Sequence, residues 1–86
     1  MAKFRILIKP AAVKEIEAIP AKKVRQRLVE RIRQLAEHPH PPGCVKLSGQ
    51  EKYRLRQGSY RILYTIEEGE LVVTVVKVGH RQDVHR

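Results

Sequence analysis

The stretch that decides the fold is residues 53–64, YRLRQGSYRILY. Apolar and basic residues alternate on both sides of Gly58-Ser59, as expected for two antiparallel strands joined by a two-residue turn. That turn pairs Arg56 with Arg61 and assigns every side chain of the hairpin to one of two faces. The face predicted to point into the core carries Tyr53, Leu55, Ile62, Tyr64 and Ile66. The opposite, open face carries Arg54, Arg56 and Arg61.

The pairing of Arg56 with Arg61 is unfavourable for folding by itself. Like charges directly opposite each other in a sheet destabilise it by a few tenths of a kcal/mol or more. An anion held between the two guanidinium groups reverses the sign of this interaction, and arginine binds phosphate oxygens through paired hydrogen bonds. The cluster therefore indicates a phosphate-binding site for RNA, with a solvated charged face as the alternative.

The first half of the chain has the periodicity of one strand and two helices. Residues 3–9 place Phe4, Ile6 and Ile8 on one face, which predicts a strand. Apolar residues then recur at helical spacing on both sides of Pro20, which predicts helices over roughly 11–19 and 21–37. The three prolines of the loop 38–43 end the second helix.

The second half of the chain has the pattern of an antiparallel sheet. Strands are predicted over roughly 52–57, 60–67 and 70–78, with Glu68-Gly69 as a second two-residue turn. This turn would pair Val76 with Arg61 and Lys77 with Tyr60, and Gly79 would end the last strand. The order βααβββ predicts one α+β domain over residues 1–86, an antiparallel-rich four-stranded sheet with two helices on one face.

The tail of the chain is expected at the same corner as the hairpin arginines. Because the last predicted strand ends near the first turn, Arg81 and the histidines at 80 and 85 become candidate site residues. Cleavage of RNA by its own 2′-hydroxyl needs a base, cations for the phosphorane charge and an acid for the leaving oxygen. Histidine can exchange protons near neutral pH, and arginine supplies charge without titrating.

No metal or small-molecule cofactor is predicted. His38, His40 and Cys44 share one loop, but three possible ligands without a fourth make a poor zinc site. The arginine corner has no cluster of carboxylates, which are the ligands that Mg²⁺ prefers.

Composition points to a polyanionic partner. Eighteen Lys and Arg against nine Asp and Glu give a formal net charge of +9 and a pI of about 10.2. This balance favours nucleic acid or an acidic protein as the partner, with solubility alone as the alternative. The single cysteine, and the absence of an apolar signal or spanning segment, predict a cytoplasmic protein that does not enter membranes.

Three segments together resemble the RelE branch of the RelE/ParE toxins of bacterial toxin-antitoxin pairs. They are Lys46-Leu47-Ser48-Gly49, the hairpin 53–64 and the ending 78–84, VGHRQDV. The resemblance covers essentially the whole chain. It implies an endoribonuclease that enters the ribosomal A site and cuts mRNA there without metal. It also implies a cognate antitoxin that wraps around the toxin and silences it.

The resemblance also assigns roles by position. Arg54, Arg56, Arg61 and Arg81 would neutralise the scissile phosphate and its transition state. Where the family commonly has a catalytic tyrosine after the valine of the closing motif, this chain has His85. His85 is therefore the candidate for the proton transfer, with His80 as the second candidate and a frayed tail as the alternative.

Further cations could contact RNA outside the hairpin. Lys23, Arg27 and Arg31 are spaced four apart on the second predicted helix, a like-charge stripe that ribosomal RNA or an acidic antitoxin would compensate. The alternative is a solvated helix face relieved by Glu30 and Glu37 against Arg27 and Arg33. Lys46, Lys52 and His80 are the remaining candidate RNA contacts.

Two other functions are compatible with these residues. A gyrase-directed toxin of the ParE branch would share the fold and the antitoxin but would not need the arginine cluster. A catalytically silent, basic RNA-binding module would need the cluster but no proton-transferring residue.

Overall fold

The computed structural model describes residues 3–49 and 51–80 of the chain. Its elements are β1 (Arg5–Ile8), α1 (Pro10–Glu17), α2 (Lys22–Gln34), β2 (Val45–Lys46), β3 (Lys52–Gln57), β4 (Tyr60–Glu67) and β5 (Val72–His80). The strands form one sheet in the order β1-β5-β4-β3-β2, in which β1 is parallel to β5 and the other neighbours are antiparallel. The predicted α+β class is confirmed. The sheet has five strands instead of four because the loop after α2 adds the two-residue β2 beside β3.

The two helices follow from the prolines around them. Pro10 is the first residue of α1, a position at which its missing N–H costs no hydrogen bond. Pro20 separates α1 from α2, and the guanidinium of Arg25 holds this connection by donating to the carbonyl oxygens of Ile19 and Pro20. Within the described part of the chain, no helix is both long and apolar enough to cross a membrane.

The core lies between the two helices and one face of the sheet. The helices contribute Ala12, Ile16, Leu28 and Ile32, with Ile19 and Leu35 just beyond their ends, and the sheet contributes Leu55, Ile62, Tyr64, Val73, Val75 and Val78. Phe4, Ile6 and Ile8 of the first strand pack against this cluster, as their alternation predicts. All twelve core residues are at most 7% exposed, so both amphipathic halves of the chain bury their apolar faces against each other.

The hairpin of β3 and β4 has the predicted register throughout. Gly58-Ser59 is the turn, Gln57 pairs with Tyr60, and Arg56 pairs with Arg61. Gly58 has a φ of 60°, a left-handed conformation that glycine adopts without steric cost. The face predicted to point into the core does so, because Leu55, Ile62 and Tyr64 are at most 1% exposed.

The predicted pairing of the last two strands is wrong. The connection is a four-residue loop at 68–71 instead of a two-residue turn, and Leu71 in this loop has a φ of 56°. The strand therefore runs from Val72 to His80 instead of 70–78, and it passes through Gly79. Arg61 is opposite Gly79 instead of Val76, and Tyr60 is opposite His80 instead of Lys77.

A β-bulge at Val76 accounts for the remaining shift between the predicted and the observed pairing of β4 with β5. Tyr64 pairs with Val75 but Leu63 pairs with Lys77, so one residue of β5 has no partner on β4. Strict alternation from Val75 would turn Lys77 into the core. The bulge shifts the alternation by one residue, so that the fully buried side chain is Val78 and Lys77 remains half-exposed.

Candidate functional site

The open face of the sheet has its positive charge at the end where β3 turns into β4. The row nearest this turn contains Arg56, Arg61 and Gly79, and the next row contains Arg54, Leu63 and Lys77. Arg56 is exposed, whereas Arg54 and Arg61 are half-buried. Opposite side chains in such rows have Cβ atoms about 5 Å apart, so Arg56 and Arg61 can bind the same phosphate.

The residue opposite Arg61 on β5 is a glycine. Gly79 adds no side chain to the row, so the neighbours of Arg61 within the row are Arg56 on β3 and the backbone of Gly79 on β5. A glycine inside a strand often marks a close approach of a ligand or another backbone. The sequence prediction treated Gly79 only as the end of a strand.

In the described strands, these two rows contain cations and no carboxylate. Apart from Leu63 and Gly79, the residues of these two rows are Arg54, Arg56, Arg61 and Lys77. Lys77 forms an ion pair, with its Nζ 2.8 Å from Oε2 of Glu15 on α1. Arg54, Arg56 and Arg61 give this corner three guanidinium groups.

Tyr64 supports the hairpin from the core side. Its hydroxyl donates a hydrogen bond to the carbonyl oxygen of Pro39 at 2.9 Å and lies 3.0 Å from Sγ of Cys44. Burial, together with the hydrogen bond to Cys44, raises the pKa of Tyr64 well above its ordinary value of 10.0. The phenol is therefore neutral at physiological pH and serves as a structural donor, in agreement with the predicted packing role.

His80 is the one candidate of the closing motif that lies within the described residues. It pairs with Tyr60 at the end of the sheet, and the two rings meet edge to face with centroids 5.6 Å apart. Its side chain is exposed and is on the opposite side of the sheet from Arg61, because neighbouring residues of a strand alternate in direction. The candidates Arg81 and His85 lie outside the described residues.

The cationic stripe on α2 has one member that differs from the other two. Lys23 and Arg27 are exposed, but Arg31 is half-buried. Its Nη1 donates to Oε1 of Gln34 at 3.3 Å, and its Nε is buried without a hydrogen-bond partner among residues 3–49 and 51–80. Arg27 and Arg31 line a cavity of about 300 Å³ that extends to Gln57 at the end of β3.

The ion pairs suggested as relief for this stripe do not form within the described residues. Neither Glu30 nor Glu37 is paired there with Arg27 or Arg33, and the partner of Glu37 is Lys3 at 4.0 Å. Among the flanking lysines, Lys46 is paired with Glu51 at 3.6 Å, whereas Lys52 is a half-buried residue of β3.

The proline loop uses its polar side chains for internal contacts. His40 lies 3.3 Å from a carboxylate oxygen of Glu68 and packs edge to face on Tyr53, and Cys44 is beside the Tyr64 hydroxyl. In the part of the chain that the structure describes, no group of three or more His, Cys, Asp or Glu side chains could hold a metal ion.

Glu15 is a residue beside this corner that no sequence pattern identified. Its Oε1 accepts a hydrogen bond from the backbone N–H of Val78 at 2.8 Å, and its Oε2 accepts one from Lys77. These partners are 62 and 63 positions away in sequence, and only the packing of α1 across β5 brings them together.

Sequence comparison relates the chain to toxins of toxin-antitoxin systems. The family model of the ParE toxin of type II toxin-antitoxin system, parDE, matches residues 6–85. A RelE-like toxin protein of Escherichia coli is 26% identical over 83 residues, which cover 93% of this chain and 85% of that protein. The family match thus includes the hairpin, both helices and the closing motif.

Solved structures of RelE proteins share the fold. A chain of the archaeal RelE-RelB complex from Pyrococcus horikoshii OT3 has a TM-score of 0.83 and 28% identity, with 98% of this chain and 100% of that chain covered. A chain of the intact E. coli RelBE toxin-antitoxin complex has a TM-score of 0.76 and 27% identity, with coverage of 99% and 100%. The chain therefore belongs to the ParE toxin family of type II toxin-antitoxin systems, within the RelE-like toxin superfamily.

Proposed function

We propose that this toxin is a metal-independent endoribonuclease that cuts mRNA in the ribosomal A site and so inhibits translation. The observation that carries the proposal is the row of Arg56, Arg61 and Gly79 on the open face of the sheet. Two opposed arginines with a glycine as the next residue of the row suit a phosphodiester, and they need no metal to supply positive charge.

The reaction that suits this site uses the nucleophile already present in RNA. The 2′-hydroxyl oxygen forms a bond to phosphorus, and the bond from phosphorus to the 5′ oxygen breaks. The phosphorane carries one more negative charge than the phosphodiester, and Arg56 and Arg61 stabilise this added charge. Arg54, one row behind, attracts the phosphate of a neighbouring nucleotide.

Proton transfer is assigned to the closing motif. His85 takes the proton of the 2′-hydroxyl, and Arg81 stabilises the leaving oxygen. His80, the second candidate, has less support because it lies on the opposite side of the sheet from Arg61. Histidine suits this role because its pKa is near neutrality, whereas arginine stays charged. The burial that raises the pKa of Tyr64 argues against that phenol as the base.

Ribosomal RNA is proposed as the partner of the remaining cations. Lys23 and Arg27 are exposed on α2 and Lys46 is exposed on β2, and such cations bind phosphates independently of sequence. The half-buried Arg31 and Lys52 add charge beside them. A toxin with this target acts in the cytoplasm.

Inhibition is assigned to a cognate antitoxin. The archaeal and E. coli relatives were solved as RelE-RelB and RelBE complexes. We expect an acidic antitoxin for this chain because its formal net charge is +9. Co-expression with the acidic product of a neighbouring reading frame should restore growth, and failure of every such product would refute this part.

Primer extension on a message under translation tests the nuclease activity. The wild-type protein should produce cuts spaced by codons, and Arg61→Ala, made in the same extract, should produce none. Absence of cuts with the wild-type protein would refute the proposal. Equal cutting of naked RNA would refute only the ribosome dependence.

The same protein preparation tests the alternative that the toxin acts on gyrase. That alternative has less support because the relatives at 27% and 28% identity are RelE proteins. A supercoiling assay with purified gyrase should show no inhibition by the wild-type toxin. Inhibition of supercoiling, together with intact mRNA, would favour the gyrase target.

A further inference from the structure

Among the described strands, none covers the edge of β5 beyond its pairing with β1. β1 pairs with β5 only as far as Ile8 opposite Val75, and the backbone N–H of Lys9 makes the last contact, with the carbonyl oxygen of Val75. The N–H of Val78 is therefore beyond the reach of β1. An edge N–H without a partner costs stability and leaves the strand free to shift.

Glu15 covers this edge with both oxygens of its carboxylate. One oxygen accepts the N–H of Val78 at 2.8 Å, and the other accepts the ammonium of Lys77 at 2.8 Å. The side chain of Glu15 is only 30% exposed, so its hydrogen bonds are partly shielded from water. Helix α1 is thereby joined to the segment of β5 that follows the bulge.

The joined segment is the one that borders the arginine row. Val78 is followed directly by Gly79, the residue opposite Arg61, and by His80, the residue opposite Tyr60. A bulge increases the local bend and twist of its strand. A contact just beyond the bulge therefore sets where Gly79 lies relative to Arg61.

We infer that Glu15 is a positioning residue for cleavage, which holds residues 77–80 against β4 so that Gly79 stays opposite Arg61 where the scissile phosphate binds. This inference rests on the proposed nuclease function. Glu15 does not contact the substrate. Its loss should lower kcat and leave KM nearly unchanged, because exposed cations elsewhere still attract the RNA.

Three substitutions distinguish the effects of the two hydrogen bonds that Glu15 accepts, from Val78 and from Lys77. Glu15→Ala removes both acceptors, Glu15→Gln keeps an oxygen for the N–H of Val78, and Lys77→Met removes only the ion pair. A misplacement of about 1 Å can cost about 100-fold in rate, so Glu15→Ala should lower kcat by about 10-fold to 100-fold. Glu15→Gln should restore most of kcat, and in Lys77→Met the Val78 amide should remain as protected from hydrogen exchange as in the wild-type protein.

Two controls on the same helix exclude a general loss of stability. Glu17→Ala removes a neighbouring exposed glutamate for which no hydrogen bond or ion pair is found among the described residues. Ile16→Val removes one methyl group from the core and lowers stability while it keeps the carboxylate of Glu15. Both should cleave at the wild-type rate under conditions in which they are folded. Equal losses of kcat in Ile16→Val and Glu15→Ala would overturn the inference.

Amide hydrogen exchange provides a readout that does not depend on cleavage. The Val78 amide should exchange faster in Glu15→Ala than in the wild-type protein, and at nearly the wild-type rate in Glu15→Gln and Ile16→Val. An unchanged Val78 rate in Glu15→Ala would overturn the inference even if mRNA is cut. If the wild-type toxin does not cut mRNA, the proposed function fails, while a faster rate still supports the contact with the strand.

Discussion

The hairpin face and the α2 stripe are both clusters of like charge, but the structure holds them differently. Arg56 and Arg61 are opposite each other on paired strands, so the backbone fixes their Cβ atoms. Lys23 and Arg27 are on successive turns of a helix with their side chains exposed, and they retain most of their rotamer freedom. Fixed charge suits a transition state, whereas mobile charge suits attraction of a polyanion.

The difference also appears in what lies beneath each cluster. Behind the hairpin, Tyr64 is fully buried and bonded to the loop at Pro39. Behind the stripe, only Arg31 reaches inward, and its buried Nε has no hydrogen-bond partner within the described residues. The comparison implies that hairpin substitutions should change the rate of cleavage, whereas stripe substitutions should change the affinity for the ribosome.

The largest effect is expected for Arg61→Ala. Removing one charged donor from a transition-state site costs about 10²-fold to 10³-fold in kcat, and the free energy of unfolding should change little. Arg61→Lys keeps the charge but loses the paired hydrogen bonds, so its kcat should lie between those of the wild-type protein and Arg61→Ala. Single-turnover cleavage measures the rate, and urea denaturation measures the free energy of unfolding. Wild-type cleavage by Arg61→Ala would place the chemistry elsewhere.

The buried hydrogen bond from the Tyr64 hydroxyl to Pro39, beneath the hairpin, predicts a loss of stability at high pH. Because folding raises the pKa of Tyr64, the unfolded chain loses this proton first, above about pH 10. The stabilisation is complete below that pH, and above it the free energy of unfolding falls by up to about 1.4 kcal/mol per pH unit. Urea denaturation at pH 8 and above pH 10 measures this fall.

Two variants test whether Tyr64 causes the alkaline loss. Tyr64→Phe should lower the free energy of unfolding by about 1–3 kcal/mol at pH 8, because the carbonyl of Pro39 loses its donor, and it should flatten the alkaline slope. Tyr53→Phe removes a phenol from the neighbouring stacked ring and should keep the slope. An unchanged slope in Tyr64→Phe would contradict the assignment.

Lys23→Glu tests whether the cationic stripe on α2 lowers helix stability and binds the ribosome. It places a negative charge in the first turn of α2, which contains no acidic residue, and pairs it with Arg27 one turn later. The free energy of unfolding should rise by about 0.5–1.5 kcal/mol, while affinity for the ribosome falls. Lys22→Glu makes the same change of charge beside the stripe and is the matched control. Equal losses of affinity in both variants would argue against a defined stripe.

A small effect on the free energy of unfolding is expected for Arg56→Gln. Removing one of two opposed cations should raise the free energy of unfolding by about 0.2–1 kcal/mol at low salt and lower the rate of cleavage. The gain should disappear in about 1 M salt, where exposed charges are screened within about 3 Å. A variant less stable than wild type at low salt would show that the pair does not destabilise the sheet.

The two hairpins of the sheet show where prediction from sequence succeeds. The register of β3 and β4 follows from one local signal, because Gly58 supplies the conformation that a two-residue turn needs. The connection from β4 to β5 has a misleading signal in Glu68-Gly69, because the residue that adopts the left-handed conformation in its loop is Leu71. No local sequence signal predicts the bulge at Val76 either, because the bulge depends on which residue of β5 the helices bury.

The sequence by itself determined the class of fold, the hairpin and the arginines of its open face, because hydrophobic period and turn chemistry act over a few residues. The tertiary structure alone decided that Gly79 is opposite Arg61 and that Glu15 contacts Val78. Burying Lys77 in an apolar core would cost more than a bulge, so the chain shifts its register to bury Val78. That choice depends on the helices packed over the sheet, and these lie far away in sequence.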